Sequence, residues 1–220
     1  MAEIIKPIVK VERAPLVARP FKIIKYDSNG NVSKKYFLMD TLSPSKNAID
    51  RAEDYEIRKK AGDPNYLSSI GTREILEDVA NSGNSELQNY VRDSLRKYWI
   101  ATTSVVEYNP KNQKDEVFHN WKTSDEYSLI RSIVGRDGFI MEIDNSESLE
   151  SLVGTDDVKK LHEISNVIND SQMYLLRFNS KPSEKTKSVV RFGALDDRLY
   201  LDADGNLSDE IPAFLVLRDK

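Results

Sequence analysis

Six carboxylates crowd one stretch near the C-terminus: Asp196, Asp197, Asp202, Asp204, Asp209 and Glu210, opposed only by Arg198. Within it, Asp202-x-Asp204-x-Asn206 has the spacing that opens a calcium-binding loop, where a hard cation gathers several oxygen ligands. The spacing fails further on. The loop's glycine position is Leu207 and its bidentate carboxylate position is Ala213. The expectation is therefore a solvated acidic turn with no built metal site and no cofactor, attracting cations or basic ligands with an affinity that weakens with salt.

Other residues able to do chemistry are few. The chain has no cysteine, which removes disulfides, thiolate nucleophiles, iron–sulfur clusters and cysteine-based zinc sites. Two histidines cannot build a three-histidine site. His162, in Leu161-His162-Glu163-Ile164, lacks the second histidine of a zinc-protease helix and reads as a helix-surface residue. His119, in Val117-Phe118-His119-Asn120-Trp121, alternates with apolar neighbours and reads as a structural histidine in a strand. Val134-Gly135-Arg136-Asp137-Gly138 lacks the Lys-Ser/Thr ending of a phosphate-binding loop, and Gly135 is better explained as a helix C-cap. No Gly-x-Ser-x-Gly elbow occurs. These residues give no support to an enzyme.

The elements that must position this segment read as follows. Apolar residues at Ile4, Ile8, Val9, Val11, Leu16 and Val17, interrupted by Pro7, Pro15 and Pro20, suit short or edge strands. Phe21 to Tyr26 and Val32 to Leu38 flank an Asn29-Gly30 hairpin turn. Asp50 to Lys60 reads as helical, with a packing face that the pattern does not mark. Helices follow at Thr72 to Asn81 and, with Ser85 as N-cap, through Leu87, Tyr90, Val91, Leu95 and Tyr98. Trp99 to Tyr108 is β-branched and predicts a strand. Thr123 to Glu126 has capping-box spacing and predicts a helix through Leu129, Ile130, Ile133 and Val134. Phe139 to Ile143 and Met173 to Phe178 read as strands, separated by two helical segments broken near Gly154. A strand from Val189 to Leu195, a stretch without clear periodicity, and an apolar strand from Pro212 to Arg218 end the chain.

A chain of 220 residues with 39% hydrophobic and 31% charged residues can bury a core without disulfides. The expectation is one α+β domain over residues 1–220, with no repeat and no linker. A net charge of −4 and a pI near 5.4 give no sign of a nucleic-acid partner. No apolar run approaches a membrane span. Met1 to Pro15 shows no signal-peptide pattern, so synthesis in the cytoplasm is expected.

The end of the chain resembles the formylglycine-generating-enzyme branch of the C-type lectin fold. That branch commonly reads Arg-Gly-Gly-Ser-Trp and closes in Gly-Phe-Arg. Here Arg191-Phe192-Gly193-Ala194-Leu195 and Ala213-Phe214-Leu215-Val216-Leu217-Arg218 occupy those places. The enzymes of the branch need cysteines, so the chain is more similar to its non-enzymatic members, the variable proteins of diversity-generating retroelements, particularly archaeal and archaeal-virus examples. The resemblance implies a C-type-lectin-like fold with a mixed, mainly antiparallel sheet and flanking helices. It implies a variable region at 190–217, diversified by adenine-directed mutagenesis and reverse transcription. Leu195, Leu199, Leu201, Leu207, Phe214 and Val216 would be buried supports. Asp196, Asp197, Tyr200, Asp202, Asp204, Asn206, Ser208, Asp209 and Ile211 would face solvent and bind a variant-specific ligand, expected to be a protein. The alternatives are an enzyme of the same fold family and a structural viral or surface protein.

Overall fold

The Asn29-Gly30 turn forms as its chemistry dictates. The Asp27 carboxylate accepts the backbone N–H groups of Asn29 and Asn31, each at 2.9 Å. Gly30 sits at φ +80°, a region that costs glycine no steric strain. The computed structural model describes residues 9–13, 20–62, 69–111, 113–122, 128–133, 137–141, 146–178 and 181–218. The turn joins β2 (Phe21–Tyr26) to β3 (Val32–Leu42), and β1 (Val9–Arg13) pairs antiparallel with β2. Ile4, Ile8, Leu16 and Val17 lie outside the described residues.

Three helices follow: α1 (Ala48–Lys60), α2 (Ser69–Asn81) and α3 (Ser85–Lys97). The N-cap of α3 is Asn84 rather than the expected Ser85, because the Asn84 side chain accepts the Leu87 N–H at 2.9 Å. Leu87, Val91 and Leu95 fall one turn apart and are fully buried. Further along come α4 (Ser146–Val153) and α5 (Val158–Asn169), separated by Gly154 at φ +71°. The remaining strands are β4 (Ile100–Tyr108), β5 (Glu116–His119), β6 (Ser128–Arg131), β7 (Gly138–Phe139), β8 (Gln172–Leu176), β9 (Thr186–Leu195), β10 (Arg198–Asn206) and β11 (Phe214–Arg218).

The strands form two sheets of a mixed α+β architecture. One has the order β1-β2-β3-β11, wholly antiparallel; the other has the order β6-β5-β4-β9-β10-β8-β7. Among the described residues of the larger sheet, only β8 and β10 run parallel. Helices α2, α3 and α5 pack on one of its faces, and α4 packs on α2. That inner face carries Val190, Phe192 and Ala194 of β9, Leu199, Leu201 and Ala203 of β10, and Met173 and Leu175 of β8, all buried in a core shared with the smaller sheet. Tyr90 of α3 stacks against Phe21 and meets the edge of Phe214, so α3 reaches the smaller sheet as well.

Three expectations are corrected. No helix runs through Leu129, Ile130 and Ile133; Leu129 and Ile130 belong to edge strand β6, in register with β5 through Val117↔Ile130 and Phe118↔Leu129, and Ile133 follows the strand. Three apolar residues in so short a window fit either period, and cross-strand pairing decides between them. The capping box at Thr123 to Glu126, Val134 and the C-cap Gly135 lie outside the described residues. Next, the stretch after Leu195 is a strand, β10, whose pairing with β9 shifts register between Asp202 and Gly205. Its period of two is visible at Leu199, Leu201 and Ala203, but carboxylates and a tyrosine on its other face hide it. Finally, Leu195 is not a buried support. It is 49% exposed, because its neighbour Ala194 takes the inward position at the end of β9.

Candidate functional site

Because Leu199 and Leu201 point inward, Tyr200 projects from the opposite face of the sheet. The register sets Tyr200 against Gly193 on β9 and Tyr174 on β8, and Tyr174 against Phe139 on β7. Trp99, just before β4, reaches the same row. A Cβ built on Gly193 would lie 2.7 Å from the Trp99 ring, so the bare backbone at 193 is what admits the indole. Ring centroids are 5.9 Å apart for Trp99 and Tyr200, 5.5 Å for Tyr200 and Tyr174, and 5.1 Å for Tyr174 and Phe139. The four rings form a continuous band across the outer face, held in edge-on and tilted contacts that aromatic quadrupoles favour.

Two arginines lie over this band. The Arg191 guanidinium is 4.9 Å from the Trp99 ring centre; that of Arg198 is 5.0 Å from Phe139 and 4.9 Å from Tyr174. Such stacking is attractive through the ring face. Arg191 is also anchored from below. Its Nε donates to Asp202 Oδ2 and its Nη1 to Asp209 Oδ2, both at 2.7 Å. Gly205 leaves room for it, since a Cβ there would meet Arg191 Nε at 3.1 Å and the Val189 carbonyl oxygen at 2.8 Å. Farther along the same face Ala48 and Ala52 of α1 line a small cavity together with Val105 of β4 and Val189 of β9. In the aromatic band Phe139 is exposed, and Trp99, Tyr174 and Tyr200 are half-buried.

The nine residues expected to bind ligand fall into three groups. Asp196, Asp197, Asp204, Asn206 and Ser208 are exposed, and Tyr200 stands in the aromatic band. Asp202 is only 3% exposed, contrary to the expectation that it faces solvent. Besides holding Arg191, its Oδ1 accepts the Asp204 N–H at 2.7 Å. Asp209 shares the hold on Arg191 and accepts the Asn206 N–H at 3.2 Å. Ile211 is half-buried and fixed through its backbone, forming a bridge with Lys46. Its carbonyl also accepts Arg51 Nη2 at 2.5 Å.

The acidic residues do not gather into a cation site. Asp202 spends its oxygens on Arg191 and the backbone. Partial burial, then the negative charges of Asp202 and Asp137, push the Asp204 carboxyl above its ordinary range. Among the described residues no group of three or more histidine, aspartate or glutamate side chains is placed to hold a metal ion.

His119 makes a contact of chemical interest in another place. Ser104 Oγ lies 2.7 Å from its Nδ1, and its Nε2 lies 3.0 Å from the Ser151 carbonyl oxygen. A carbonyl can only accept, so Nε2 carries the proton and Nδ1 accepts from the serine hydroxyl. This is the pairing of a nucleophile with a base. Ser104 and His119 are both buried and closed off from solvent. Burial lowers the His119 pKa, which holds the ring neutral. His162, on α5, donates from Nε2 to the Ile140 carbonyl oxygen at 2.7 Å.

Sequence reading placed Tyr200 in the site but not Trp99, Tyr174, Phe139 or Arg191, which join it only through strand register. Gly193 was the available signal, because an isolated glycine inside a strand marks close approach of another group. Among the described residues no helix is long and apolar enough to cross a membrane. No protein-family model, curated protein or solved structure matches this chain.

Proposed function

We propose that this chain is a ligand-binding protein whose recognition surface is the outer face of β9, β10, β8 and β7, and whose partner is a protein. The observation that carries this reading is the band of Trp99, Tyr200, Tyr174 and Phe139 with Arg191 and Arg198 laid over it. Trp, Tyr and Arg dominate binding energy at protein interfaces. Rings and guanidinium groups already fixed against one another lose little freedom on binding. Arginines over Trp99, Tyr174 and Phe139 occupy ring faces that a nucleic-acid base would need for stacking, which favours a protein partner. Asp196 and Asp197 in the β9–β10 turn, Asp204 on β10 and Glu210 after it are exposed, so a partner with a basic rim associates faster, and the more so at low salt.

In this reading the domain is C-type-lectin-like and its surface is diversified by a retroelement. The exchangeable positions are Asp196, Asp197, Asp204, Asn206 and Ser208, with Tyr200 as the anchor inside the aromatic band. Their exposure supports this, since replacing an exposed side chain leaves the core untouched. The test is a library randomised at those five positions. Most members should keep their thermal midpoint within about 2–4 °C, the shift that 1 kcal/mol produces in a domain of this size. Selection against a panel of unrelated proteins should then yield binders. Widespread unfolding would end the display reading. A reverse transcriptase and a template repeat differing at adenines, in the DNA beside the coding sequence, test the diversification separately.

A further inference from the structure

The chain carries a formal net charge of −4, yet one of its cavities is cationic. It measures about 50 Å³ and lies where the β3–α1 loop, α1, β4 and the start of β11 meet. Lys46, Arg51 and Arg58 line it with Asp54 as the carboxylate, and Ser43 and Thr103 bring hydroxyl groups. Lys46 Nζ at 3.1 Å and Arg58 Nε at 3.3 Å converge on the same Asp54 oxygen. Three positive charges against one negative leave a formal excess of two in the lining.

We propose that this cavity binds a small oxyanion, the phosphate or carboxylate group of a ligand. By this measure of volume it holds roughly three to five waters, the size of a phosphate group. Lys46 and Arg58 each have N–H donors beyond the one directed at Asp54, and hydrogen bonds from cations to an oxyanion are roughly twice as strong as neutral ones. Arg51 is 5% exposed and its position is fixed: Nη2 donates to the carbonyls of Lys46 and Ile211, and Nη1 donates to Ser43 Oγ. An anion thus meets a cationic lining that is already ordered, which lowers the cost of binding.

The cavity wall is also the clamp on the C-terminal segment. Ser43 donates its N–H to the Ala213 carbonyl at 2.8 Å and accepts the Ala213 N–H on Oγ at 2.9 Å. Occupancy therefore favours the clamped state and raises the thermal midpoint by mass action. This site is separate from the aromatic band, so it stands or falls independently of the proposed partner surface.

The test is titration of the 220-residue chain with inorganic phosphate and with acetate at constant ionic strength, with chloride as reference. Amide chemical shifts around residues 43–58 and 211–215 and the thermal midpoint are the readouts. Saturable shifts and a rising midpoint are expected. Saturation by phosphate alone assigns a phosphate group, and by acetate alone a carboxylate. The double variant Lys46→Ala with Arg58→Ala removes two side chains that are 33% and 35% exposed, and its amide spectrum and thermal midpoint without anion are compared first with those of the wild type to establish that it is folded. It should bind at least about tenfold more weakly, the equivalent of one lost charge-assisted hydrogen bond. Asp54→Asn should bind more tightly. Shifts that rise linearly and match those of chloride overturn the proposal. So does an unchanged affinity in the double variant, or weaker binding in Asp54→Asn.

Discussion

Gly193 lies under the indole of Trp99, so close that a Cβ at 193 would come within 2.7 Å of the ring. The glycine is thus required by a side chain rather than by its own backbone angles. Gly193→Ala should either displace Trp99 or strain β9, at a cost of about 1–3 kcal/mol, the range for overpacking a filled site. Urea denaturation measures the loss, and near-ultraviolet circular dichroism reports the altered indole environment. An alanine variant with wild-type stability and an unchanged spectrum would mean that Trp99 does not occupy this slot.

Asp202 and Asp204 are two residues apart on β10 and should respond oppositely to mutation. Asp202→Ala leaves Arg191, whose side chain is 17% exposed, paired with Asp209 and should cost about 2–3 kcal/mol, somewhat below the range for breaking a fully buried pair. Asp204→Asn removes a carboxylate repelled by Asp202 and Asp137 and should be neutral or slightly stabilising. Equal losses from the two changes would contradict this division.

Most of the helices and both terminal strands were legible because each carries its own period, as Leu87, Val91 and Leu95 do on α3. The ends of α3 and the nature of β6 were not. An N-cap is decided by one hydrogen bond, to Asn84 rather than Ser85, and a four-residue edge strand by its pairing with β5. The candidate site was legible only where it coincides with the C-terminal motif. Tyr200 belongs to that motif, whereas Trp99, Tyr174 and Phe139 come from three separate parts of the chain. Their meeting depends on the pairing of β4 with β9 and on the parallel pairing of β8 with β10, non-local relations that no local pattern encodes. The acidic run was easy to see and misleading in one respect, since Asp202 serves a buried ion pair.

His119 supplies a pH dependence. Its pKa is lowered by burial from the ordinary 6.5, so the folded state binds fewer protons than the unfolded chain between the lowered value and 6.5. Stability therefore rises with pH through that window and is progressively lost as pH falls below 6.5, by up to about 1.4 kcal/mol per pH unit. Comparing unfolding free energies of the wild type and His119→Gln from pH 5 to 8 isolates this residue. The difference between them should shrink as the pH falls. A constant difference would show that His119 does not titrate on unfolding in this range.

Asp78 joins α2 to the smaller sheet and should be a coupling point between the layers. It is 1% exposed; the Tyr36 hydroxyl donates to its Oδ2 at 2.7 Å, and Lys25 Nζ lies 2.6 Å from its Oδ1. Burial raises its pKa despite both partners, which means that the carboxylate depends on them to stay charged in the core. Tyr36→Phe keeps the ring packing and removes one donor, so it should cost about 1–3 kcal/mol, the penalty for a buried acceptor left short of a partner. It should also raise the Asp78 pKa further, because a hydrogen bond to the charged form is lost. With the folded pKa above the unfolded 3.8, the folded state holds the extra proton. The cost of Tyr36→Phe should therefore diminish as the pH falls through the folded pKa of Asp78, where the carboxylate no longer needs the donor. Carbonyl-detected NMR titration of Asp78 together with denaturation at pH 4 and pH 7 tests both effects. A penalty that does not change with pH would show that the hydroxyl serves packing alone.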